Sequence, residues 1–441
     1  MRILLKGFTI LPSPDRPPEE GSLVISGERI AWVGVGSPEP ESDSDDDDGP
    51  FDRVLEGQGR LVMPGLVNAH THLAMVLFRG FADDLPLKEW LEGAIWPAER
   101  HLKPQEVYWA ALLGCAELLH SGVTAFADMY FYMDEVARAV EVSGLRAQLA
   151  YGMIAPDPEK EGPELERGLE LVKRWHGAAE GRIQVALAPH APYTCGAGLW
   201  ERAVELAQEH KVMIHTHLAE TEKEVADSLE RHGRSPVEYL EDLGVFSIPV
   251  LAAHCVHLSE RDIEILAEHD VRVVHNPTSN MKLGSGVAPV QKLLAAGVNV
   301  ALGTDGAASN NDLDMWEEMR LAALLAKQSG EPTALPAPQA LRLATTDGAR
   351  ALGLPEGEIR EGAPADLIIL NLERAHLIPQ YNLVSNLVYA AHAADVETVI
   401  VAGEILMEEG RIMKFDEEEA KAKVREISAL YRELRLSPQE L

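Results

Sequence analysis

The 441-residue chain exceeds an average single domain and fits a large barrel with a smaller companion unit. With 46% hydrophobic residues it has ample material for a core, and its net charge of −32 argues against nucleic acid and anionic membrane surfaces as partners. Three cysteines, Cys115, Cys195 and Cys255, form no CxxC pair and no disulfide framework, as expected in the reducing cytoplasm. The N-terminal residues lack a signal peptide's apolar region, and no apolar stretch reaches the roughly 18 residues that span a bilayer.

In chain order, residues 3–8, 22–26, 29–34 and 53–56 read as short strands. Between the last two, the carboxylate-rich run 41–48 reads as a solvated loop, because clustered like charges repel and bury nothing. From residue 61, apolar β-rich runs alternate with helical patterns. The candidate strands are 61–67, 123–128, 146–154, 183–188, 212–217, 250–254, 271–275 and 298–303. Helical patterns lie between them, at 104–120, 165–176, 198–210 and 259–269. Eight apolar strands covered by helices predict an α/β fold, a (β/α)8 TIM-like barrel. Residues 365–370 and 398–406 are again strand-like, and 417–434 carries an amphipathic helical pattern. The expected organisation is a catalytic barrel over 61–359, with 1–60 and 360–441 joining as a small β-sandwich domain.

Four polar phrases fall at the ends of apolar runs: Asn68-Ala69-His70-Thr71-His72, His215-Thr216-His217-Leu218-Ala219-Glu220, Ala253-His254-Cys255 and Gly303-Thr304-Asp305-Gly306. Strand ends of a parallel barrel converge on one face, so residues distant in sequence can share an ion there. His70 and His72 are two apart, which on extended backbone turns both imidazoles to one side. A bare pair of this kind is a weak signal, and its place after the run 61–67 strengthens it. His217 ends the fifth strand. Asp305 follows the eighth, where a buried carboxylate without a cationic partner would be costly.

Three imidazoles and a carboxylate suit one divalent ion per subunit, zinc first and ferrous iron also. Such an ion makes water acidic enough to attack near neutral pH. Glu220 could then carry the proton, and His254 could polarise the attacked group or orient the nucleophile. Each residue also has a plainer reading: Asp305 as the cap of a helix over 310–327, Glu220 as a solvated helix-start carboxylate, His254 as a core histidine. Their joint presence favours a hydrolytic site. His190 closes the fourth strand, where two-metal barrel hydrolases often place a modified bridging lysine, so a mononuclear site is expected. His101, His120, His176, His210, His232, His269, His376 and His392 read as surface or packing residues.

The phrases Pro64-Gly65-Leu66-Val67-Asn68-Ala69-His70-Thr71-His72, Ala188-Pro189-His190-Ala191-Pro192-Tyr193, His275-Asn276-Pro277-Thr278-Ser279-Asn280 and Gly303-Thr304-Asp305-Gly306 resemble the amidohydrolase superfamily. With 126–130, 254–258 and 362–367 the likeness runs through nearly the whole chain, and is closer to the 5′-methylthioadenosine/S-adenosylhomocysteine deaminases. The resemblance implies metal ligation by His70, His72, His217 and Asp305. It gives Glu220, His254 and Asp305 catalytic roles in hydrolytic deamination at C6 of an adenine ring. It also implies that Glu99 holds the ribose hydroxyls and that His190 and Glu220 contact the purine, with Trp90 as an apolar wall.

One departure is informative. Where relatives carry arginines for the homocysteine carboxylate, Tyr151 and Glu164 stand here, with Arg167 or Arg174 as the available substitutes. A preference for methylthioadenosine or adenosine over S-adenosylhomocysteine is expected. Rival readings are hydrolysis of a triazine, deamination of guanine or cytosine, and a silent scaffold that kept the barrel. The scaffold predicts a lost ligand or a lost Glu220, and all are present; a cyclic-amide hydrolase predicts the missing lysine. The expected partner is a small purine nucleoside. Homo-oligomers are common among such barrels, although no surface patch identifies an interface.

Overall fold

The computed structural model describes residues 1–36, 51–156, 162–355 and 357–436; the acidic run 41–48 lies outside them. The first strands are β1 (Arg2–Ile10), β2 (Glu19–Ser26), β3 (Arg29–Gly34), β4 (Arg53–Glu56) and β5 (Arg60–Pro64). The barrel strands come next as β6 (Leu66–Thr71), β7 (Val123–Tyr130), β8 (Arg146–Met153), β9 (Ile183–Pro189), β10 (Ile214–Leu218), β11 (Val250–His254), β12 (Arg272–His275) and β13 (Val300–Leu302). Four more, β14 (Leu367–Asn371), β15 (Val396–Val401), β16 (Glu404–Glu408) and β17 (Arg411–Ile412), close the series.

Strands β6 to β13 form one parallel sheet in sequence order. Their residues are buried on both faces, as in β7 and β11, where every position is inaccessible. Small side chains such as Ala69, Ala125, Ala127 and Ala301 fill the barrel interior beside Leu251 and Val274. The two chain ends build the second sheet, in the order β17-β16-β15-β14-β5-β1-β2-β3 with β4 beside β1. The expected sandwich is thus one hydrogen-bonded sheet, with Ile3, Leu23 and Ile25 from one end sharing a core with Ile369 and Ile400 from the other.

The expected first strand, 61–67, is in fact two. Pro64-Gly65 breaks the run: β5 pairs with β14 in the end sheet, and the barrel begins at Leu66. Gly65 cannot carry a side chain there, because a Cβ would meet Thr124 Cγ2 at 2.2 Å. The shift puts His70 inside β6. The helix expected over 310–327 is Met315–Ala326, capped by Asp314, whose carboxylate accepts from the Trp316 amide at 2.8 Å. Asp305 is therefore not a helix cap. Among the described residues no helix is long and apolar enough to cross a membrane.

The barrel's first and last strands meet through His70 and Asp305. Asp305 N donates to the His70 carbonyl at 3.0 Å. A Cβ on Gly303 would lie 2.7 Å from both N and O of His70, so only glycine allows this approach.

Candidate metal centre and cavity

The polar phrases converge at the carboxyl ends of the barrel strands. Nitrogens of His70, His72 and His217 lie within 4.8 Å of one another, as do ligand atoms of His70, His254 and Asp305. Asp305 Oδ1 stands 3.2 Å from His72 Nε2 and 3.5 Å from His70 Nε2, and the Nε2 atoms of His72 and His217 are 3.3 Å apart.

The outward nitrogens of these rings are tied down. His217 Nδ1 donates to the His190 carbonyl at 2.8 Å, and His72 Nδ1 donates to the Met129 carbonyl. A carbonyl only accepts, so each bond places the ring proton on Nδ1 and frees Nε2. His70 Nδ1 meets His215 Nε2 at 2.8 Å. His70 Nε2 is buried and has no hydrogen-bond partner among the described residues.

That orphaned nitrogen tests whether a metal fits. Nitrogens of His70 and His72 lie within 4.8 Å of a His217 nitrogen, their Nε2 atoms stand 3.5 and 3.2 Å from Asp305 Oδ1, and the other ring nitrogens are held as metal-ligating histidines require. Burial keeps His217 and His215 well below the usual imidazole range and lowers His70 to about 4, so these rings are neutral and able to ligate. Although burial opposes it, Asp305 raises His72 to about 9, while the imidazoles of His70 and His72 hold Asp305 well below the usual carboxylate range. The residues fit a divalent ion.

Backbone strain accompanies the site. His254 (φ 75°) and Asp305 (φ 61°) adopt left-handed conformations that non-glycine residues rarely take. Side chains hold both. Ser279 Oγ and Ser309 Oγ donate to Asp305 Oδ2 at 2.6 and 2.9 Å, and His254 Nδ1 lies 2.7 Å from Asn280 Oδ1.

Glu220 lies in the loop after β10, ahead of the helix Glu222–His232, so it is not the helix-start residue of its plainer reading. Its Oε2 is 3.9 Å from His254 Nε2, and Ser285 Oγ donates to its Oε1 at 3.4 Å. Burial raises its pKa. Glu224 fixes this loop by accepting from the amides of Ala219 and Glu220 at 2.9 and 2.8 Å.

A cavity opens over these groups, lined by His190, Trp90 and Glu99 among others. Trp90 Nε1 donates to the Ala82 carbonyl at 3.0 Å, so its ring forms a fixed apolar wall. Tyr130 OH donates to Glu99 Oε1 at 2.6 Å, and burial pushes Glu99 up to about 7. Burial lowers His190 to about 3, leaving a neutral ring whose Nδ1 meets Thr194 Oγ1 at 3.0 Å.

Beyond Glu99 a groove continues past Tyr151, Glu164 and Arg167. Tyr151 OH donates to Glu164 Oε2 at 2.6 Å and accepts from Arg167 Nη1 at 2.9 Å. Of the two substitute arginines, Arg167 lines the groove, and Arg174 pairs with Asp134 at 2.6 Å.

Every site residue expected from sequence meets at this cavity or directly beneath it. Sequence reasoning assigned no role to His215, Asn280, Ser279, Ser309 or Glu224. His215 carried a usable signal, because His215-Thr216-His217 repeats the spacing of His70 and His72.

A parallel barrel with imidazoles and a carboxylate gathered at its strand ends defines the class of barrels built to hold a divalent ion. The chain belongs to the amidohydrolase family, whose profile matches residues 61–406. It is 50% identical to a 5-methylthioadenosine/S-adenosylhomocysteine deaminase from Syntrophomonas wolfei subsp. wolfei, covering 97% of this chain and 98% of the relative. It is 52% identical to a 5′-deoxyadenosine deaminase from Methanothermobacter thermautotrophicus, covering 90% and 91%. Among solved structures, an adenosine deaminase from Xanthomonas campestris with bound zinc superposes with a TM-score of 0.90 at 36% identity, over 98% of both chains.

Proposed function

We propose that this protein is a zinc-dependent aminohydrolase that converts adenosine-type nucleosides, such as 5′-methylthioadenosine, 5′-deoxyadenosine and adenosine, to the inosine analogue and ammonia. The observation that carries the reading is the orphaned Nε2 of His70, which stands 3.5 Å from Asp305 Oδ1 in a histidine clustered with His72 and His217. The names of relatives about half identical to this chain support the substrate class.

His70, His72, His217 and Asp305 would hold the ion. A divalent ion bound there would supply the Lewis acidity that lets water attack near neutral pH. Glu220 takes one proton from the attacking water and passes it to the ring nitrogen beside C6, a role that suits a carboxyl raised by burial. The water oxygen adds to C6. Asp305 moves the proton of the new hydroxyl to the amine, the C6–N bond breaks, and ammonia leaves. His254, steadied by Asn280, orients the nucleophile beside Glu220.

Glu99 grips the ribose hydroxyls, His190 and Glu220 contact the purine, and Trp90 packs against the sugar end. Glu164 already satisfies Arg167, so the groove offers little to a carboxylate and favours an uncharged 5′ group over S-adenosylhomocysteine. The reading takes 61–359 as the catalytic barrel, with 1–60 and 360–441 as its companion. It also takes a cytoplasmic setting, consistent with the unpaired Cys115, Cys195 and Cys255. Ammonia release from methylthioadenosine, 5′-deoxyadenosine, adenosine, S-adenosylhomocysteine and adenine by the zinc-loaded protein is the test. Turnover of the nucleosides supports the reading, and silence on all five with zinc bound overturns it.

A further inference from the structure

Behind the converging groups, the helix Met315–Ala326 carries a carboxylate that the proposed chemistry does not use. Glu318 is fully buried, and its two oxygens are divided between a short helix and a loop. Oε2 accepts from the Thr278 amide at 3.2 Å, and Oε1 accepts from Asn310 Nδ2 at 2.6 Å. Asn310 Nδ2 also donates to the Thr304 carbonyl at 2.8 Å.

Each gripped residue adjoins a serine that touches Asp305. Ser279 follows Thr278 and Ser309 precedes Asn310, and both donate to Oδ2 of Asp305. With Oδ2 occupied, Oδ1 is left to face His70 and His72. Asn280, on the same short helix as Thr278, is the residue that steadies His254. Burying a carboxylate is costly, and here each of its oxygens accepts a hydrogen bond that offsets the cost. A position needed only for packing would be served better by an apolar side chain.

We propose that Glu318 is a positioning residue, which aims Asp305 and His254 by holding Thr278 and Asn310 at once. Two N–H donors need two acceptors, and a carboxylate supplies both from one side chain. Glutamine has nearly the same shape but supplies one acceptor, and its amide nitrogen would confront an N–H. Glu318→Gln therefore loosens one arm with little change in volume.

The proposal rests on the zinc-site reading, but one of its measurements needs no substrate. The full-length Glu318→Gln protein and wild type are compared by chelator competition for zinc, by kcat and KM on adenosine, and by Tm. Zinc affinity and kcat should each fall about tenfold, as for other groups that orient metal ligands, with KM within about twofold. A purely structural role would lower Tm and leave zinc affinity and kcat unchanged, which would overturn the proposal. Should Glu318→Gln not fold, Asn310→Ala cuts one arm from the other side. It is expected to weaken zinc binding and kcat likewise, and unchanged values there would overturn the proposal. A wild-type protein that neither binds zinc nor deaminates adenosine would overturn the functional reading and this proposal with it.

Discussion

The floor and the mouth of the cavity are built on opposite plans. At the floor, side chains are buried, and most polar atoms are either tied by a neighbour or turned toward one point. At the mouth, Tyr151, Glu164 and Arg167 satisfy one another, and Arg167 is 58% exposed. Buried polar groups have few tolerable arrangements, so the floor resists change. A screened ion pair is worth about 0–1 kcal/mol, so the mouth can be rewritten cheaply. In the proposed enzyme, chemistry would be fixed at one end and substrate preference adjustable at the other.

The sharpest break of this contrast is at Glu220. Glu220→Gln should lower kcat by roughly 10²–10⁴-fold with zinc content unchanged. A loss below about tenfold would remove it as the proton carrier. His215→Phe comes next. Without its partner, His70 should lose orientation, and zinc affinity measured against a chelator should fall about 10–100-fold. Unchanged affinity would make His215 mere filling.

Glu99 stands between floor and mouth, and its effect should depend on pH. Burial holds its carboxyl near 7, so it is ionised above that value and neutral below it. If the carboxylate grips the diol, kcat/KM for ribonucleosides should fall about tenfold per unit as pH drops below about 7. A 2′,3′-dideoxy nucleoside should lack that limb, and so should Glu99→Gln. A limb that survives in Glu99→Gln would belong to another group. The smallest effect is expected at the mouth. Glu164→Gln leaves Arg167 less satisfied, and S-adenosylhomocysteine should gain about fivefold in kcat/KM relative to methylthioadenosine, an effect on the scale of one exposed ion pair. No gain would place the homocysteine end elsewhere.

The same contrast explains what could be read from the sequence. His70, His72, His217 and Asp305 were legible because each is a polar residue ending an apolar run, and barrel topology brings such ends together. Asn280, Ser279 and Ser309 were not. They act through tertiary contacts with Asp305 and His254, and nothing in their local spacing marks them. The apolar content of 61–67 suggested one strand, although Pro64-Gly65 was the signal that it is two. The end sheet was legible as strands, but not as one continuous sheet, because its pairing of β5 with β14 joins distant parts of the chain.

The contact of Asp305 with His70 across the barrel's seam carries one more consequence. An ion held by β6 and by the loop after β13 would bridge the first and last staves, and so would act as a latch on closure as well as a reagent. Ligand bound only to the closed form adds about 4 kcal/mol of stability at a thousandfold excess over its Kd. Chelation should therefore loosen the whole barrel, and thermal melting should follow free zinc even when no substrate is present. During synthesis, no ion can be gripped by all four groups until Asp305 has emerged and folded against the first stave. Metal loading of such a site would then be among the last events in the making of each molecule.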